Sequence, residues 1–184
     1  MNKILKWFLI GIGILLIAGI GTFQIMKHQT KKHSPEEKIS FKENGFDIEV
    51  TYCRPFKKGR EIFGDLVPYN EVWRTGANEA TTFSTGTNLT IQGQTLPAGE
   101  YTLWTIPDAK EWQIIFNSGH PGWGVGFDEK ASREPDLDIV NARVRAESNS
   151  QPVEQFTIDL TGNPPHLVLA WDDVHTDLAL YNKE

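Results

Sequence analysis
Three arginines stand near an Asn-Glu pair in the chain: Arg54, Arg60 and Arg74, then Asn78 and Glu79. A guanidinium offers a planar fork of donors that matches a carboxylate or a phosphate. Three of them converging from neighbouring loops would make an anion site, with Asn78 completing it and Glu79 placed as a general base. The same residues have a structural use. Loops bury backbone carbonyls that need donors, and arginines can supply them. The structural use carries more weight, because polar networks that close loops are common.

A second group is aromatic. Trp73, Trp104, Trp112 and Trp171 fall in or beside strand-like runs and should be core, where an indole contributes the largest packing area. Trp123 differs, because it lies among Gly122, Gly124 and Gly126, beside His120, Pro121 and Phe127. Its neighbours cannot cover a ring, so Trp123 should be more exposed than Trp104 or Trp171, and with His120 it could serve as a platform for a sugar or a partner's apolar patch. Loop packing is the competing use of Trp123.

Other chemistry finds less support. Asp173, His175 and Asp177 alternate along one strand face, but alternate residues sit about 6.6 Å apart, wide for three ligands to one ion. Val174, Thr176, Leu178 and Leu180 take the opposite face, so the acidic row reads as a solvent face. His28, His33 and His166 form no cluster with it, and no metal site is expected. The single cysteine, Cys53, excludes an intrachain disulfide and any zinc site built from several thiolates. It ends an apolar alternation beside Arg54 and reads as a small packed residue. No G-x-S-x-G elbow, P-loop or G-x-G-x-x-G opening a helix is present, and no cofactor is expected.

These residues must be positioned by elements, and the elements are mostly strands. Residues 38–54 alternate apolar and polar side chains on either side of Asn44-Gly45, a strong hairpin signal because both residues tolerate positive φ. Further strand-like runs cover residues 80–84, 88–92, 100–106, 112–117, 139–146, 153–160, 167–171 and 174–181, with turn residues between them. No stretch after residue 40 carries a helical apolar period. About ten short strands at this spacing predict an antiparallel sandwich. Residues 55–76 and 118–138 interrupt the rhythm. The first should include a short helical turn, and loops of such length tend to be functional or mobile.

The 184 residues carry 18 basic and 24 acidic side chains, a net charge of −6. Lys3, Lys6, Lys27, Lys31 and Lys32 all lie in residues 1–33, which hold no acid, so the remainder is more acidic still. That sign excludes nucleic acid as its partner. Residues 7–26 contain no charge and would span about 30 Å as a helix, the thickness of a bilayer core. The apolar run is longer than a signal peptide's, and no small-x-small cleavage site follows. The expected organisation is a membrane anchor over residues 1–26, a polar linker over 27–38 and a domain over 39–184. Lysines flank the span on both sides and do not orient it.

Several motifs resemble the DUF2911 family: Tyr52-Cys53-Arg54-Pro55, then the run from Gly59 to Gly64 (GREIFG), then the run from Val72 to Thr81 (VWRTGANEAT). Leu96 to Tyr101 (LPAGEY), Thr105-Ile106-Pro107, Trp112 and Trp171 with the acid after it continue the likeness across residues 40–180. Where members run from a Trp-Gly pair into a short Tyr-Asp segment, this chain has the glycine-rich 122–127 loop. The resemblance implies an all-β fold, a jelly-roll-like sandwich in an exported or envelope protein of Bacteroidetes type, and it implies no activity. It also supports placing the domain on the periplasmic or extracytoplasmic side. The chain therefore reads as a membrane-anchored β-sandwich module that binds a ligand or partner without catalysis. The alternative is an enzyme acting on an anionic or carbohydrate substrate through Arg54, Arg60, Arg74 and Glu79. Expected partners are the membrane, through residues 7–26, and an envelope protein or glycan.

Overall fold
The structure is a computed structural model that describes residues 2–183 apart from Phe127, so the last residue of the glycine-rich 122–127 run lies outside the described residues. The chain divides into two compact units, Met1–His33 and Ser34–Glu184. The first is a single helix, α1 (Lys3–His33), of 31 residues. It is long and apolar enough to cross a membrane by length and composition. It also continues through residues 27–33, where the sequence suggested a linker. Nothing in that stretch breaks a helix before Pro35, and the residue preceding a proline disfavours helical backbone.

The second unit is built from strands, as their alternation requires. β1 (Glu36–Phe41) and β2 (Ile48–Cys53) form the expected hairpin around Asn44 (φ 51°) and Gly45 (φ 82°). β3 (Thr81–Thr85), β6 (Gly99–Ile106), β7 (Glu111–Asn117) and β8 (Asp138–Arg145) extend it into a six-stranded antiparallel sheet of order β1-β2-β3-β6-β7-β8. β4 (Leu89–Ile91) and β5 (Gln94–Leu96) make a small hairpin that β11 (Tyr181–Asn182) joins. β9 (Glu147–Thr161) pairs with β10 (His166–Ala179). Sequence reasoning split β10 into two strands around Asp172. The structure keeps one strand, with register shifts on either side of Asp172, which itself has φ 53°. A bulge of that kind interrupts the ladder without ending the strand.

The main core lies on one face of the six-stranded sheet. Ile48, Val50, Phe83, Leu103, Trp112, Ile114, Phe116 and Val140 meet Phe156, Ile158, Leu167, Leu169 and Trp171 from β9 and β10. This is a sandwich of open sheets. The other face of the sheet carries a smaller cluster, Ala80, Trp104 and Ile115, against which Val72, Ile106 and Ala131 pack. Trp104 and Ile115 are direct cross-strand partners there. Val72 and Ala131 come from the two long loops, so those loops cover the outer face. Residues 55–76 contain no helix; isolated bridges replace the helical turn expected there. Gly59, Gly64 and Pro68 oppose helical propagation in that stretch.

Candidate functional site
Both long loops are tied down by backbone pairing. In residues 55–76, Trp73 exchanges hydrogen bonds with Thr105 of β6, N to O at 2.7 Å and O to N at 3.0 Å. Lys57 N donates to Glu154 O at 2.7 Å and Phe156 N to Pro55 O at 2.9 Å. The 118–138 loop is fixed at its base by Asn117, whose Nδ2 donates to Glu134 O at 2.7 Å and to Asp138 Oδ1 at 2.8 Å. Arg133 and Asp138 form an ion pair beside it.

The loops meet where Gly124 lies on Arg74. Gly124 N donates to Asn78 O at 3.0 Å, and Ser132 N donates to Gly124 O at 3.1 Å. A Cβ on Gly124 would stand 2.3 Å from Arg74 Cδ and 2.8 Å from Arg74 Cβ. Only a residue without a side chain permits this approach. The segment under Gly124 is bent: Thr75 has φ 54°, Gly76 150° and Asn78 60°. A β-branched residue at positive φ is strained and needs surrounding support. Thr75 receives it from Thr81 Oγ1, which donates to Thr75 O at 2.7 Å, and from Thr105 Oγ1 at 3.2 Å. Gly76 is required on space as well, since a Cβ there would come within 2.8 Å of Cys53 O.

Between the loops is a cleft of about 340 Å³, at the small end for a ligand site. Leu66, Val67, Pro68, Val72, Val125 and Ala131 supply apolar wall, and Trp73 joins them. Arg74, Glu71 and Glu129 are its charged lining residues. Burial pulls the Arg74 guanidinium below its usual range, partly offset by its electrostatic interaction with nearby Cys53. Arg74 Nε is buried with no hydrogen-bond partner among the described residues. An orphaned buried donor on a cation is costly, and native structures usually have a reason for one.

The three arginines weighed as a converging anion site do not converge, and two of them take the structural use that carried more weight in the sequence. Arg54 is spent on the scaffold: Nη1 pairs with Glu37 Oε2 at 2.6 Å, Nε donates to Phe156 O at 3.0 Å, and Nη2 to Thr157 Oγ1 at 2.8 Å. Arg60 is exposed and caps its own loop, donating to Lys57 O at 3.0 Å and Phe56 O at 2.5 Å. Only Arg74 lines the cleft. Asn78 is buried behind it, with its carbonyl taken by Gly124 and its Nδ2 3.5 Å from Ser34 O.

Glu79 sits beside Cys53, whose thiol donates to Oε2 at 3.5 Å. Glu36, Cys53 and Glu79 bring their ligand-type atoms within 4.8 Å of one another. Sequence reasoning missed this cluster. The hairpin signal contained two of its three members, because counting outward from Asn44-Gly45 pairs Glu36 with Cys53, as observed. Arg74 interacts electrostatically with Cys53 of this group.

His120 is exposed, with Nδ1 3.8 Å from Glu100 Oε1. Trp123 is half-buried, whereas Trp104 (0 % exposed) and Trp171 (1 %) are fully buried. It is Val125, two residues on, that reaches the cleft. On β10, Asp173 and Asp177 are exposed and Thr176 and Leu178 buried. His166, read as isolated, in fact meets Asp177, Nδ1 to Oδ1 at 2.5 Å, where the Leu180 N to Pro165 O hydrogen bond also joins the two ends of β10.

A family model described as "Protein of unknown function (DUF2911)" matches residues 34–180. No curated protein and no solved structure matches the chain.

Proposed function
The chain belongs to the DUF2911 family, and from that premise we propose that it is a membrane-tethered, extracytoplasmic module whose cleft over Arg74 binds an anionic group without catalysis. The observation that carries this reading is that Arg74, alone of the three arginines, lines the cleft between the loops. Arg54 and Arg60 are consumed by internal hydrogen bonds, so they hold the loops, and Arg74 is left to a ligand. A carboxylate or phosphate in the cleft would take charge-assisted hydrogen bonds from the guanidinium where it borders the cleft.

Catalysis through Glu79 is disfavoured on geometry. A general base needs hydrogen-bond reach of the substrate, and Glu79 is not among the residues lining the cleft; it accepts from the buried Cys53 thiol. Trp73 lines the cleft and is half-buried, so its emission serves as the reporter. Titrating the full-length protein in lipid nanodiscs with small carboxylates and inorganic phosphate should shift Trp fluorescence saturably. Arg74→Gln should abolish the shift and Arg60→Gln should leave it. Equal response in wild type and Arg74→Gln would sink the reading.

A further inference from the structure
The cleft carries more than one sign of charge. Glu71 and Glu129 line it together with Arg74 and come from the two different loops that form its walls. Both are exposed, and neither carboxylate has an ion-pair or hydrogen-bond partner among the described residues. Glu129 is presented from a left-handed backbone position, φ 64°, in a turn closed by its own N–H donating to Gly126 O at 3.1 Å. Exposed acids on a surface cost nothing alone. Here two of them share a small, partly apolar cleft with Arg74, the one arginine among its described lining residues.

That combination discriminates between anions. A polyphosphate or a polyanionic glycan would bring several negative charges against Glu71 and Glu129, in a domain whose overall balance is already acidic. A ligand bearing one negative and one positive group would satisfy both signs. Resting on the anion-site reading above, we propose that the cleft takes a small zwitterion, with its carboxylate on Arg74, its ammonium between Glu71 and Glu129, and a compact apolar skeleton against Val72, Val125 and Ala131. Free apolar amino acids are the simplest molecules of this class. The cleft volume of about 340 Å³ suits a ligand of that size.

The test uses the full-length protein in nanodiscs and isothermal titration with alanine, valine and leucine, each also as its N-acetyl acid and its amide. The free amino acids should bind, and both capped series should bind at least about tenfold more weakly, the loss of one charge-assisted contact. Glu71→Gln with Glu129→Gln should weaken the free amino acids by a similar factor and leave the N-acetyl acids unchanged. Arg74→Gln should abolish binding of every carboxylate. If N-acetyl acids bind as tightly as free amino acids and the Glu variants change nothing, the zwitterion is wrong and the anion site stands. If no compound of any series binds the wild type, and inorganic phosphate also fails, both readings fall.

Discussion
Arg74 brings a charge into a poorly solvated place where the fold returns no hydrogen bond to Nε. A residue kept for stability would behave otherwise, as Arg54 does with its carboxylate, carbonyl and hydroxyl partners. Arg74→Met keeps the stem that Gly124 packs on and removes the buried charge. Its melting temperature is expected to equal or exceed wild type by up to about 2–4 °C, while ligand response is lost. A drop of several degrees in differential scanning calorimetry would mean that Arg74 holds the loops together after all. Tyr52 illustrates the opposite case. Its hydroxyl accepts from Ile158 N at 2.8 Å, with Glu37 Oε2 at 3.1 Å and Ile158 O at 3.2 Å as acceptors for its proton. Burial raises its pKa well above 10.0, so the folded state holds the proton after the unfolded chain has released it. Stability should therefore be level below about pH 10 and fall as pH rises through that unfolded value toward the folded one. Tyr52→Phe should lower stability by roughly 1–3 kcal/mol at neutral pH, by orphaning the Ile158 groups, and flatten the alkaline slope. Urea melts from pH 8 to 11 read both effects. The sequence made the arginines visible as a type and could not say which one faced a cleft. That depends on whether β9 passes close enough to occupy a guanidinium, a contact across about a hundred residues for Arg54.

Secondary structure was legible wherever alternation was strong, and less so where side chains replace backbone. The β4–β5 hairpin turns on Gln92 (φ 47°) and Gly93 (φ 78°), yet β5 has three residues and only Leu96 is buried. So short an element leaves no periodic signal. Its function is apparent only in three dimensions. Gln92 Nε2 donates to Arg143 O at 2.6 Å and its Oε1 accepts from Arg143 N at 3.0 Å; Gln94 does the same with Asn141, at 2.9 and 3.4 Å. Two side-chain amides thus occupy the free edge of β8, where an unpaired ladder would invite another chain. Replacing both glutamines by alanine is expected to change stability by less than about 1 kcal/mol, since these contacts are exposed, while promoting association. Light scattering during size-exclusion chromatography reads this, and a variant that stays as disperse as wild type would show that the edge needs no cover. The long loops were legible as interruptions, and their meeting was not. Gly124 could be seen in sequence only as one glycine of a run, whereas the structure makes it the contact on Arg74. Gly124→Ala should cost roughly 1–3 kcal/mol through forced displacement and weaken ligand binding with it. Gly122→Ala, where an added Cβ meets nothing within 4 Å, is the control.

At the scale of the whole chain, two units of different physical character are joined in one sequence: an apolar helix of 31 residues and an acidic strand domain with its own core. A helix of this length rises about 46 Å, beyond the roughly 30 Å of a hydrocarbon core, so it spans with turns to spare for its lysine-bearing ends. Lys31 and Lys32 in its last turn also complement the partial negative charge of the helix terminus. Such a helix serves equally as an anchor or as a segment removed on export, and the two have different consequences for where the cleft works. Retention is the proposed outcome, because no small-x-small site follows the apolar run and the helix continues unbroken past it. The side of the membrane follows from the proposed envelope role and not from the lysines, which flank the span at both ends. After carbonate extraction the full-length chain is expected in the membrane pellet. Protease added to intact spheroplasts should degrade the domain, while a cytoplasmic control protein survives. A soluble product starting near residue 27 would show that the helix is a removed leader, and a domain protected until the membrane is permeabilised would place the cleft in the cytoplasm. In either case the anion site could persist, but its ligand would have to be sought in a different compartment.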